Sequence, residues 1–364
     1  MGRRILLITT DQQRYDALGC NGGQVARTPV LDGLAADGVV FRRAHAQSVV
    51  CMPARSTIIT GQLPRTHGVF ANGVPLPSDA PSVAAYLAAH DYRTALIGKA
   101  HFEPEMDAPP NLRWFENRMA LEGSTGPHRG FEHLELCFHG YWGRYHYDRW
   151  LDAAYPGSAA QVPPMLKANP GGGAPDVAPN SMTREAYHTD WVASRTIAFL
   201  DELDDEDDWF VWMSFPDPHH PWNPPDIERH RVDWRDLERP ATCPSSAEQV
   251  VEILGRKPHH WLDVFEGRMP QLAAPPSYVP AQLTLDQLLE INAVIHVENE
   301  LIDEAVGRVM PVFANAAGIP IPTCSSQPTT VSSRGTSASC SRARTTATRS
   351  CGSRSSGGPH RRRE

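Results

Sequence analysis

The 364-residue chain contains no apolar run near the roughly 20 residues that a membrane span needs. It carries no excess of positive charge either. Its formal net charge is -8, which argues against nucleic acid or an anionic membrane as partner. Seven cysteines at irregular spacing do not pair into a disulfide framework. The first residues imitate a signal peptide briefly, but the apolar stretch Ile5 to Ile8 is short. It runs into Thr9, Thr10 and Asp11 without a small-residue cleavage site. This segment reads as a buried first strand, and the expected location is cytoplasmic. Aspartate is missing from the end of the chain: Asp303 is the last one.

What is present supports a sizeable core, since 41% of residues are hydrophobic. Strand patterns at Arg4 to Thr10, Val39 to Phe41, Tyr92 to Ile97 and Trp209 to Phe215 alternate with helix patterns. The helices are expected at Thr28 to Gly38, Pro53 to Gly61, Pro81 to Ala89, Met182 to Leu203 and Leu283 to Val312. Such alternation predicts an α/β layered fold with a largely parallel sheet. Residues 105–180 and 216–282 are rich in proline, and the first of these reads as a long, partly irregular insertion. Trp142, Tyr145, Tyr147 and Trp150 within it are read as packing, and the acidic run Asp201 to Asp208 as a solvated loop. After about Pro320 the chain becomes Ser, Thr, Arg and Gly without period, which predicts disorder. Residues 1–320 are therefore expected to form a catalytic domain and 321–364 a low-complexity tail.

Four short motifs carry chemistry. Cys51-Met52-Pro53-Ala54-Arg55 leads into a helix whose first-turn amides and positive dipole end favour an anion, with Arg55 one turn along. Asp11 ends the first strand, where α/β sheets collect ligands and where a carboxylate suits a hard cation. Gly98-Lys99-Ala100-His101 and Pro218-His219-His220-Pro221 each follow a strand. Taken singly, each has a plainer explanation: a buried thiol, a turn cap, a surface lysine, a proline-flanked loop.

Together they resemble the sulfatase family. Its signature is Cys-x-Pro-x-Arg followed by Thr-Gly, here Thr60-Gly61. The resemblance implies an alkaline-phosphatase-like α/β/α sandwich and hydrolysis of a small-molecule sulfate monoester. It also implies oxidation of Cys51 to formylglycine by a formylglycine-generating enzyme, with the hydrated aldehyde attacking sulfur. Asp11 and the modified Cys51 would bind a divalent metal, Arg55 would hold the diol or sulfate, and Lys99 would neutralise the sulfate. His101 would bind the diol or the transferred group, and His219 would pass a proton to the leaving oxygen. His220 is read as an ordinary loop histidine. Gln12 stands where many sulfatases have a second acid, so the Asp11-Gln12 pair resembles the choline sulfatase and phosphonate monoester hydrolase branches. That leaves calcium as the default metal and manganese as the alternative, with phosphonate monoester or phosphodiester hydrolysis as the alternative activity. Asn72 matches a substrate-binding asparagine of the phosphonate hydrolase branch, although Asn72-Gly73 is also a turn dipeptide.

The family further carries a late Asp-His-Gly or Asp-Asn-Gly and a following lysine, and neither occurs after the long helix. The genetic code offers an explanation. Pro328 to Ser332 can be written CCG ACC ACG GTG AGC, and the last base of each codon joined to the next two reads GAC CAC GGT GAG, which encodes Asp-His-Gly-Glu. In the same phase Thr323 to Ser325 allows a strand-like run of Val, Leu or Phe, and Arg342 to Thr346 allows Gly-Pro-Tyr-His. A reading-frame slip near Gly318 to Pro322 is therefore expected. The resulting chain would be a sulfatase product with an incomplete metal site and little activity.

Overall fold

The computed structural model describes residues 3–105, 113–161, 173–240, 243, 244, 246–269 and 278–317. The expected low-complexity tail lies outside them. In chain order the elements are β1 (Arg4–Thr9), α1 (Pro29–Asp37), α2 (Cys51–Thr60), α3 (Pro64–His67), α4 (Val83–Ala88), β2 (Arg93–Gly98) and α5 (Phe115–Glu122). There follow β3 (His133–Leu136), α6 (His146–Ala154), α7 (His188–Asp201), β4 (Trp209–Ser214), α8 (Ala247–Leu254), α9 (His260–Phe265) and α10 (Leu285–Ala317).

The four strands form one sheet in the order β1-β4-β2-β3, and every pairing is parallel. Strands β2 and β4 are buried almost throughout, which explains their continuous apolar runs. Successive side chains supply opposite faces. Trp209, Val211 and Met213 of β4 join Ala95 and Ile97 of β2 in a core with Trp191, Val192 and Ile302 of helices α7 and α10. Phe210 and Trp212 join Leu96, Leu134, Met52 and Ala84 in a second core beneath α2 and α4. The arrangement is an α/β/α sandwich with a parallel central sheet, as expected.

Three sequence expectations need correction. Val39, Val40 and Phe41 do not form a strand; Val39 and Phe41 are each 78% exposed, and no strand of the described residues pairs with them. The supposed insertion contributes to the sheet itself. His133–Leu136 pairs with β2 in the register Ala95↔His133 to Gly98↔Leu136. Four residues containing His133 and Glu135 show little strand pattern, and a partner supplies the reason: Arg195 of α7 reaches Glu135 with two bonds of 2.6 and 2.7 Å. Helix α7 starts at His188 rather than Met182, after a single turn of 3-10 helix at Arg184–Ala186.

Helix α10 buries Ile291, Val294, Leu301, Ile302, Val306 and Val309. It also brings Asp303 to the start of α1, where the carboxylate accepts from the amides of Val30 and Leu31 at 3.1 and 2.8 Å. That satisfies first-turn donors which the Thr28 side chain does not cap. The four aromatics singled out earlier are packing: Tyr147 and Trp150 lie against Trp191, while Tyr145 and Trp142 lie against Phe138. No helix of the described residues is long and apolar enough to cross a membrane.

Candidate active site

Helix α2 begins at Cys51, two residues earlier than expected, so Cys51 is the first helical residue. Pro53 fits in the first turn because its missing N–H has no intrahelical partner there. Gly61 closes the helix at φ 67°, donating its N–H to Thr57. The residue before the helix, Val50, offers no capping side chain. Asn72 takes that part from across the chain, its Oδ1 accepting from the amide of Met52 at 3.1 Å.

The carboxyl ends of β1, β2 and β4 deliver the other groups to this helix end. Asp11, Arg55, Lys99, His101 and His219 are all buried, Lys99 completely. Cys51 Sγ lies 3.9 Å from Asp11 Oδ1. Lys99 Nζ donates to Asp11 Oδ2, and Arg55 reaches the same oxygen at 3.5 Å. Arg55 is fixed by donating to the carbonyl of Lys99 at 2.5 Å and to Ser214 Oγ at 2.8 Å. Close approach of β2 and β4 makes this possible. Gly98, at φ 107°, passes so near that a Cβ would sit 1.8 Å from the Ser214 carbonyl oxygen.

Electrostatics fix the protonation states. Burial works against the Asp11 carboxylate, but Lys99 and Arg55 outweigh it and hold its pKa well below the usual range. Burial pushes the Cys51 thiol up, against the pull of Lys99 and Arg55. His101 is pushed down by burial and is neutral; its Nε2–H donates to Glu105 at 2.7 Å, and Glu105 in turn is held below its ordinary value. The His101 Nδ1 lone pair is buried with no hydrogen-bond partner among the described residues. This residue also holds a left-handed φ of 56°, a conformation uncommon outside glycine and concentrated at functional sites. His219 is driven down by burial and by Lys99, so it too is neutral. Its Nδ1–H donates to the His220 carbonyl at 2.6 Å, which leaves Nε2 as an acceptor in the neutral ring.

Three groups escaped the sequence reading. His139 accepts from Lys99 Nζ at 2.7 Å through Nε2, and its ring stacks on His219 with centroids 3.9 Å apart. Its signal was available, since it stands just beyond the carboxyl end of β3, but that strand was read as insertion. Glu105 stands four residues after His101, and Ser214 ends β4. Phe138 joins the two halves of the site, with Lys99 Nζ 4.7 Å from its ring centre and the His101 ring packed edge-on, centroids also 4.7 Å apart.

A hard divalent cation takes about six oxygen-rich ligands. The described residues bring one carboxylate, Asp11, to Cys51, and it is already bound by Lys99. They do not by themselves fit such an ion.

The parallel α/β sandwich thus gathers a buried lysine, a buried arginine and a helix N-terminus at its strand ends. The comparisons with known proteins narrow this. The sulfatase family model matches residues 3–281, and the chain belongs to the sulfatase family. It is 29% identical over 247 residues to an arylsulfatase of Clostridium perfringens, covering 66% of this chain and 48% of that one. It is 38% identical over 104 residues to human arylsulfatase A, which is 27% of this chain and 20% of that one. Among solved structures, the phosphonate monoester hydrolase of Agrobacterium radiobacter superposes with a TM-score of 0.67 at 24% identity, over 86% of this chain and 60% of that chain. The chain thus spans about half the length of the Clostridium relative.

Proposed function

We propose that the chain carries the nucleophilic part of a sulfuric ester hydrolase. Cys51, converted to formylglycine by a formylglycine-generating enzyme, would act there on a small-molecule sulfate monoester. The observation that carries this reading is the single buried network of Asp11, Cys51, Arg55 and Lys99 at the first turn of α2. Hydrated formylglycine supplies a hydroxyl nucleophile that a thiol with a raised pKa does not. Arg55 and Lys99 neutralise the oxyanion beside the first-turn amides, where low dielectric strengthens each contact. His101 offers its Nδ1 lone pair and His219 its Nε2 lone pair to protons of the reacting groups. Asn72 holds the first turn through its oxygen and contacts the transferred group through its amide nitrogen.

The proposed metal is calcium, with manganese second, on Asp11 and the modified Cys51. The shortage of further ligands among the described residues agrees with the proposed frame slip after the long helix. On that reading residues 1–320 form an incomplete catalytic domain and this polypeptide binds metal weakly. The alternative activity, phosphonate monoester or phosphodiester hydrolysis, is favoured by one feature, the Asp11-Gln12 pair in place of two acids.

The test co-expresses the chain, and a version with the frame restored after Gly318, with a formylglycine-generating enzyme. Peptide mass spectrometry reads Cys51 conversion, and rates are compared on an aryl sulfate and an aryl phosphonate. The expected result is conversion in both, with metal-dependent aryl sulfate turnover only in the restored chain. Unconverted Cys51 would sink the formylglycine reading, and a preference for the phosphonate would establish the alternative. Strong metal-dependent turnover by the unrestored chain would refute the incomplete site.

A further inference from the structure

The loop between β2 and α5 carries a second cluster, separate from the network around Asp11. Glu103, Glu116 and His128 each present a ligand atom, and the three atoms lie within 4.8 Å of one another. They come from three places: the loop after Lys99 and His101, the first turn of α5, and the turn before β3. The side chains are 12%, 6% and 10% exposed in that order. Two carboxylates so placed are costly unless something pairs with them.

Among the described residues their partners are few, and most are distant. Glu103 Oε2 accepts one good bond, from the amide of Glu116 at 2.8 Å. The Glu116 oxygens meet the amides of Phe102 and Glu103 only at 3.3 and 3.4 Å. Arg129 approaches Glu103 Oε1 to 3.6 Å, while its two terminal nitrogens are committed to the carbonyls of Leu76 and Pro77. His128 Nε2 stands 3.4 Å from Glu116 Oε1, yet it is a buried nitrogen without a hydrogen bond. The His128 ring is held in place: it stacks on Phe115 at 4.9 Å, and its backbone exchanges hydrogen bonds with Phe131. So a fixed imidazole, nine-tenths buried, directs an unpartnered nitrogen at two buried carboxylates. Beside Glu103 and Glu116 is a pocket of about 10 Å³, the space of one water, which His101, Glu105 and Tyr145 also line.

We propose that Glu103, Glu116 and His128 form a zinc-type divalent cation site, with a water in the adjoining pocket as fourth ligand. An imidazole with two carboxylates and one water suits a four-coordinate first-row ion. Calcium, which takes six to eight oxygens, is poorly matched by this set. The ion offsets the charge that Arg129 leaves uncompensated. Its effect is positional: it ties the loop bearing Lys99 and His101 to α5 and to the turn before β3.

The experiment titrates Zn2+ into the full chain bearing Asp11→Asn and Cys51→Ser, so that the other site cannot contribute, and reads binding by calorimetry. One equivalent is expected, weakened at least about tenfold when Glu116→Gln or His128→Gln is added. Because either change can also disturb packing, His128→Cys in the same background is loaded with Co2+. A thiolate-to-cobalt absorption band is expected, since the thiolate takes the imidazole's place as ligand. Absence of Zn2+ binding in the starting variant would overturn the proposal and leave a set of ion pairs among Glu103, Glu116, His128 and Arg129. So would binding untouched by both glutamine variants, or a His128→Cys protein whose cobalt spectrum lacks the thiolate band.

Discussion

Lys99→Met is the change that most directly tests the electrostatics of the site. Methionine keeps the length of the buried stem and deletes the ammonium that bonds Asp11 and His139. Removing one partner of a buried ion pair costs about 3–5 kcal/mol, because the other charge stays buried. Here Arg55 remains 3.5 Å from Asp11 and still favours the ionised form, so the low end, about 3 kcal/mol, is expected. Asp11→Asn strands Lys99 instead and is also destabilising. The double variant removes both charges and should cost less than the sum of the singles by about 2 kcal/mol. Urea unfolding followed by tryptophan fluorescence, at pH 7 with a chelator present, reads all four corners of the cycle. The pH dependence gives a second reading. Asp11 has a depressed folded pKa, so its contribution is fully present above the ordinary carboxylate value of about 3.9 and is lost as pH falls toward the folded one. Lys99→Met should shrink that acid-sensitive component. A cost below about 1 kcal/mol, the level of an exposed pair, would refute the reasoning, and so would additive singles.

Three further outcomes are expected. Gly98→Ala must push β2 away from the Ser214 carbonyl and hold alanine at φ 107°, so it should cost at least about 2–3 kcal/mol in chemical unfolding. Asp148 has its pKa raised by burial to about 6, so its contribution is largest below the unfolded value and is lost as pH rises through about 6. The difference is roughly 3 kcal/mol, and Asp148→Asn should flatten the fall of melting temperature between pH 4 and 8; an unchanged profile would contradict the assignment. Asn72→Ala removes the acceptor for the Met52 amide and should cost about 1 kcal/mol, measured by thermal unfolding.

Much of the fold was legible along the chain. Strands β1, β2 and β4 are runs of apolar and β-branched residues bounded by turns, and α2 has proline in its first turn and glycine just past its end. Those signals are local, so they survive without knowledge of partners. Val39 to Phe41 carried the same local signal and formed no strand, because a strand needs a neighbour and none of the described strands pairs with it. Strand β3 shows the converse: its pattern is weak, and pairing with β2 together with the Arg195–Glu135 ion pair decides it.

The site divides along the same line. The sequence alone determined which residue types gather at strand ends, namely Asp11, Cys51, Arg55, Lys99, His101 and His219, because motif spacing is a property of neighbours. Only the tertiary structure decided that Lys99 sits on Asp11, that His139 stacks on His219, and that Asn72 caps the helix bearing Cys51. It also decided that Glu103, Glu116 and His128 meet. These are pair contacts between residues 12 to 88 positions apart in the chain, and contact between such residues depends on how the sheet and its loops pack.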